Sequence, residues 1–234
     1  MFNKIIVTSI TILGLTACST NTGNETTNTN VDLPEDSVAL ETKEKEKIII
    51  PVDIEKSWAF DVLQPEEIFK DAELAVAVRV NSVDELGFFI DPKAGSPVTP
   101  IHVDITEVLK GELESSEVTF YQWGGLVSVH QEIDISDPER VNKYGWDKLT
   151  DEELNQTYFD YKGEEYFDFI PGNEYVVTLQ QDEVTGDLYL GANGYDVFIH
   201  SESNISNFSS SKDAVLTNVL TDNEITLSEI DNLE

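Results

Sequence analysis

A mainly β fold, a small closed or half-closed barrel of about five or six strands, is what this sequence predicts. Three observations carry the prediction. Apolar and polar residues alternate over several stretches between residues 74 and 200, the period of a half-buried strand. Clusters of Gly, Pro, Asp and Asn punctuate those stretches as turns. The 234-residue chain holds a single cysteine, so no internal disulfide staples it and an ordinary apolar core must hold it together.

The folded part is expected to start near Ile48. Gln64 to Asp71 reads as a short helix: Pro65 suits its first turn, and Glu66 and Glu67 complement the positive end of the helix dipole. From Glu73 to Val83 the period becomes two. Leu74, Val76, Val78 and Val80 share one face, and Ala75, Ala77, Arg79 and Asn81 share the other. A loop from Asp91 to Pro97 follows. Ile101, Val103 and Ile105 then alternate with His102, Asp104 and Thr106, and Val108-Leu109 continues out of phase, as a β-bulge would. Lys110-Gly111 turns the chain into a third strand, Glu117 to Trp123, which Gly124-Gly125 ends. A fourth is expected from Leu126 to Ile135.

Residues 136–163 change character. Asp137-Pro138-Glu139-Arg140 can open a helix, and Thr150 with Glu153 makes a capping-box pattern. The stretch is expected to be a helical insertion. Strands resume at Glu174 to Gln181, where Tyr175, Val177 and Leu179 share a face. The turn Asp182 to Gly186 leads into Asp187 to Leu190 as a hairpin, and Tyr195 to His200 completes the set. Lys212 to Leu220 and Glu224 to Leu233 read as short helices of a C-terminal tail.

The N-terminus carries a separate signal. Lys4 precedes the apolar run Ile5 to Leu13, which ends in Leu15-Thr16-Ala17-Cys18. A charged start, a short apolar run and small residues make a secretory signal peptide; the run is too short to span a bilayer, which takes roughly 20 apolar residues. With cysteine placed after the cut, the segment resembles bacterial lipoprotein precursors and matches their lipobox, Leu-[Ser/Thr/Ala]-[Ala/Gly]-Cys, residue by residue. The resemblance implies diacylglycerol on the Cys18 sulfur, cleavage between Ala17 and Cys18, and acyl chains such as palmitate in the membrane. It places the mature protein on the extracytoplasmic face of the cell membrane. The preference for Lys over Arg and the abundant Asn fit an AT-rich, Gram-positive source.

The domain plan is therefore a signal peptide at 1–17, a flexible tether at 18–47, a barrel at 48–200 with its insertion at 136–163, and a partly helical tail at 201–234. Residues 19–30 are Ser, Thr, Asn and Gly with one acid, which leaves nothing to bury, and Glu41 to Lys47 alternates in charge.

Charge narrows the partners. Fourteen Lys and Arg against 46 Asp and Glu give a formal net charge of -32. Nucleic acid is excluded as a partner, because phosphate binding needs clustered basic residues. The same charge opposes lying on anionic lipid.

The order of motifs carries a second resemblance. A Val-rich strand, Leu74 to Val80, is followed by Val103-Asp104-Ile105-Thr106-Glu107-Val108-Leu109-Lys110-Gly111. Then come the strand ending in Gly124-Gly125 and Phe169-Ile170-Pro171-Gly172-Asn173-Glu174-Tyr175. This is similar to bacterial proteins with a netrin/TIMP-like, OB-type barrel. The resemblance implies a small OB-like barrel over residues 74–200 and carries no activity with it. TIMP inhibitors chelate a protease metal through a free N-terminal cysteine; an acylated Cys18 would be unable to do so.

Candidate chemistry is sparse. His102, His130 and His200 have no short metal-binding spacing, and no Gly-x-Ser-x-Gly or phosphate-cradling loop occurs. No catalytic residue, metal or cofactor is expected. The aromatics Tyr158, Phe159, Tyr161, Tyr166 and Phe167, with Trp123 and Trp146, either cover the barrel mouth as core or form a binding surface for a peptide, sugar or protein, such as an envelope protein, since aromatic rings are enriched at interfaces. A non-enzymatic binding module is the leading expectation. A hydrolase of unrecognised type and a ligand- or metal-delivering lipoprotein serving a transporter are the alternatives.

Overall fold

The computed structural model describes residues 47–52, 54, 56–90, 96–200 and 213–233. The expected signal peptide, Cys18 and the tether as far as residue 46 lie outside the described residues, as do residues 91–95 and 201–212.

The elements in chain order are β1 (Ile48–Pro51), α1 (Pro65–Asp71), β2 (Leu74–Val83), β3 (Val98–Lys110), β4 (Glu117–Trp123), β5 (Leu126–Ser128), α2 (Val129–Ile135) and α3 (Pro138–Tyr144). A single 3-10 turn (Trp146–Lys148), α4 (Asp151–Gln156), β6 (Thr157–Asp160), β7 (Glu174–Gln181) and β8 (Leu188–Tyr189) follow. A second 3-10 turn (Asn193–Asp196), β9 (Val197–His200), β10 (Val215–Asn218), β11 (Glu224–Thr226) and α5 (Leu227–Ile230) complete the described chain.

The fold is mainly β, and its centre is a small OB-like barrel. Strands run β7-β2-β3-β4-β8, and β8 pairs back to β7 through Gln180–Tyr189 and Gln181–Leu188, closing the ring at five strands. The period-two pattern decides what fills it. Val76, Val78, Val80, Ile101, Val103, Phe120, Val177 and Leu179 all point inward and are essentially inaccessible. Each such side chain stabilises the fold by about 1.5–3 kcal/mol relative to exposure. The phase slip at Val108-Leu109 is a bulge: Val76 faces Val108, whereas its neighbour Ala75 faces Lys110. That slip delivers the Lys110 ammonium to the end of α1, where it donates to the carbonyls of Phe69 and Ala72, both at 2.7 Å. A cation there satisfies orphan carbonyls and complements the helix dipole.

Outside the barrel, β2 shows small side chains. Ala75 and Ala77 let α1 approach closely, so that Ile68 and Phe69 pack with Phe198, Leu216 and Ile225 in a second core. Here the sequence expectation is corrected. The helix expected from Lys212 to Leu220 does not form over the described residues 213–220; Val215–Asn218 is a strand on the free edge of β9, pairing Leu216 with His200. Ala214, Leu216 and Asn218 are buried while Val215 and Thr217 are half-buried, a period of two that the edge of β9 selects. Glu224 to Leu233 likewise begins as a strand before Thr226 caps α5. The described residues beyond 212 thus pack into this second core.

The insertion contains the expected helices, with Asp137 and Thr150 as N-caps. Its β6 is the centre of a second sheet, in the order β1-β6-β5, whose two other strands lie outside the insertion. The strand expected from Leu126 to Ile135 stops at Ser128, whose side chain accepts from Gln131 N–H and starts α2 with a capping box. Gly124 and Gly125 join this sheet to the barrel. Their φ angles are 103° and 118°, and a Cβ on Gly125 would lie 2.0 Å from Thr99 Oγ1. The pair brings Tyr161 close enough to donate its N–H to the Gly125 carbonyl at 2.9 Å. Strand β1 is an edge. Val52 N–H bonds Asp160, so alternation turns Ile49 and Pro51 outward, and Pro51 offers no donor there.

Candidate functional site: an aromatic groove on the barrel

The outer face of β4 carries the most unusual surface. Phe120 and Gln122 point into the barrel, so Tyr121 and Trp123 must point out. Strand β8 lies parallel to β4 with Tyr121 opposite Tyr189, which again faces outward. The rings form a row. Trp123 stacks on Tyr189 with centroids 5.5 Å apart and an interplanar angle of 21°, and Tyr189 lies 5.3 Å from Tyr121. Phe88 extends the row, edge-on to Tyr121 at 5.9 Å. It is held by a two-way backbone bridge to Val98, with both N···O distances 2.9 Å.

At the Trp123 end the row opens into a cavity of about 370 Å³, lined by Ile90, Trp123, Tyr189, Gln180, Asp182 and Gly191 among others. Its floor is fixed from below. Asp196, 3 % exposed, accepts from the Thr178 hydroxyl at 2.7 Å and from Ala192 N–H, which holds the turn after Leu190 and Gly191. Burial raises the Asp196 carboxyl to about 7, against the hydrogen bonds that favour its charged form.

The field over the row is negative. Burial and then the carboxylates of Asp187 and Asp84 raise the Tyr121 phenol; burial and then Asp187 and Asp182 raise Tyr189. Both phenols therefore stay neutral. Asp182 is held anionic by the N–H groups of Thr185 and Val184, at 2.7 and 2.9 Å, which lower its pKa. His102 continues the face on β3, with Nδ1 2.8 Å from Thr119 Oγ1 and Nε2 3.1 Å from Asp84.

The aromatics expected to share one surface are divided among three places. Trp123 belongs to the groove. Phe159 and Tyr161 are core residues of the insertion, Trp146 packs on Phe159 at 5.3 Å, and Phe89 packs on Tyr161 at 5.9 Å. The Tyr161 hydroxyl donates to Glu132 at 2.7 Å, and that buried carboxylate is paired with Arg140 at 2.6 Å. Phe167 packs on Phe169 and Tyr175 at the barrel mouth. Tyr158 and Tyr166 are half-buried, with the ammonium groups of Lys47 and Lys162 over their rings at 5.2 and 4.7 Å. Burial in the insertion's own core takes Phe159 and Tyr161 out of play.

Tyr121, Tyr189 and Phe88 were not signalled as site residues. The available signal was the pair Tyr121 and Trp123, two large rings on the face of a strand opposite Phe120. The histidines do not share a site: His102, His130 and His200 lie on β3, α2 and β9. Among the described residues, no three His, Asp, Glu or Cys side chains form a metal-binding group. No helix among the described residues is long and apolar enough to cross a membrane.

Comparison with known proteins adds no relative: no family model matches the sequence, and no curated protein matches it significantly.

Proposed function

We propose that this protein is an extracytoplasmic lipoprotein, anchored through Cys18, whose barrel is a non-enzymatic binding module for an envelope protein or peptide. The aromatic groove is its docking face. The single observation that supports the reading most is the row Phe88, Tyr121, Tyr189 and Trp123, placed half-exposed on a rigid sheet and flanked by acids. Rings ordered on a scaffold offer large contact area at little entropic cost.

Two measurements test it. Metabolic palmitate labelling followed by membrane fractionation of wild type and Cys18→Ala is expected to give labelled membrane protein only from wild type. Label retained in the variant would refute the anchor. For the binding role, wild-type protein immobilised on beads is expected to retain a specific envelope component that Trp123→Ala loses. Equal retention by both would remove the groove from the account.

A further inference from the structure

We propose that the groove takes the basic side chains, arginine or lysine, of an extended segment of a partner protein; this rests on the binding reading above and names its ligand class. Charge complementarity carries the choice. The charged groups acting most strongly on the two groove phenols are carboxylates: Asp187 and Asp84 on Tyr121, and Asp187 and Asp182 on Tyr189. A ring row bounded by anions is the arrangement that attracts guanidinium and ammonium groups, through the ring quadrupole as well as Coulomb's law. Trp123, the strongest such ring, lines the cavity together with Asp182. At about 370 Å³ that cavity has room for one long basic side chain. Asp182 is pre-positioned as an anion by its own turn, so binding need not deprotonate it.

The remaining acids then become spacing elements. Asp182 lines the cavity beside Trp123, and Asp187, which precedes β8 and is level with Thr119 in its parallel pairing with β4, lies toward the His102–Asp84 end, so an extended chain lying along the row meets a carboxylate at each end. A folded cationic domain would have to match the whole row and the cavity at its end at once. An extended peptide would not, and strands deliver alternate side chains to one face.

The test is titration calorimetry on the full chain in non-ionic detergent with the peptide acetyl-(Gly-Arg)3-amide. Its partner probe replaces each arginine by citrulline, which keeps the shape and removes the charge. The arginine peptide is expected to bind, and the citrulline peptide to bind about tenfold more weakly or worse. Trp123→Ala and the conservative pair Asp182→Asn/Asp187→Asn should each cost about tenfold. Glu112→Gln/Glu114→Gln, in the β3–β4 turn, should change affinity less than about twofold because exposed charges that far away are screened.

Equal binding of both peptides, still sensitive to Trp123→Ala, would overturn the ligand class and leave the groove as a binding site. Arginine-peptide binding that ignores Trp123→Ala and falls equally with the turn substitutions would mean general charge attraction, and would overturn both readings. Binding seen only after deletion of residues 41–46 would make that lysine-bearing segment the occupant and overturn the proposal. A neutral oligosaccharide that binds in a Trp123-dependent way while the arginine peptide stays silent would also overturn it.

Discussion

Replacing Asp196 by Asn should flatten one part of the protein's stability profile against pH. The Asp196 carboxyl lies in the folded chain at about 7, against an ordinary value of 3.8, because burial disfavours its charge. The folded state therefore keeps a proton between those values that the unfolded state releases. Stability from this group is full below about pH 4 and falls as pH rises through about 7. A displacement of about 3 pH units corresponds to about 4 kcal/mol, an upper bound, at 1.36 kcal/mol per unit. Asn fits the site without charge. Its amide oxygen can accept from Ala192 N–H, while its NH2 donates to a rotated Thr178 hydroxyl. The assay is urea denaturation of both proteins at half-unit steps from pH 4 to 8. The difference between wild type and Asp196→Asn isolates this group from the many other acids. A variant whose slope equals that of wild type across the window would refute the reasoning.

Other predictions concern the insertion and the barrel rim. Arg140→Ala leaves the Glu132 carboxylate, 1 % exposed, without its cationic partner and bonded to the Tyr161 hydroxyl, and should cost the insertion about 1–3 kcal/mol. Urea titration followed by tryptophan fluorescence reads this through Trp146; a loss below about 0.3 kcal/mol would contradict it. Gly125→Ala must place a Cβ at a φ of 118° and against Thr99, and should lower stability by at least about 2 kcal/mol in thermal melts. An unchanged melting temperature would argue against that close approach. Pro51→Val restores an outward N–H on the edge of β1 beside exposed Ile49, and light scattering should show concentration-dependent self-association. A strictly unchanged mass would show that proline is not what blunts this edge.

Much of the barrel was legible in the sequence because its strands bury one face each. Leu74 to Val80, Ile101 to Ile105, and Tyr175 to Leu179 announce period two, and each places its apolar set inside. Local chemistry was legible as well: Thr150 with Glu153 forms the expected capping box, and the slip at Val108-Leu109 is a bulge. What escaped depends on distant partners. Ile48 to Pro51 becomes a strand only because Thr157–Asp160 lies parallel to it, more than a hundred residues away. Ala214 to Leu220 is apolar enough for a helix, and the free edge of β9 decides otherwise. Ser128 with Gln131 is a capping box that reads as clearly as the one at Thr150, and it marks where the fourth strand stops.

The candidate site was half legible. Trp123 is identifiable from sequence as a large ring at a strand end. Its neighbours come from β8 and from the loop before β3, so their convergence depends on barrel closure. The rings of residues 158–169 had a stronger sequence signal and a weaker claim to a surface, because the insertion needs Phe159 and Tyr161 for its own small core.

The measurement that bears most directly on the central claim is photocrosslinking in living cells, with a photoreactive phenylalanine placed singly at Tyr121, Tyr189, Tyr144 or Glu112. Tyr121 and Tyr189 sample the groove; Tyr144 samples the exposed insertion and Glu112 the far turn. The groove account predicts a discrete adduct from 121 and 189, abolished by Trp123→Ala, and none from 144 or 112. Adducts from 144 with none from 121 and 189 would contradict it and return the docking surface to the insertion.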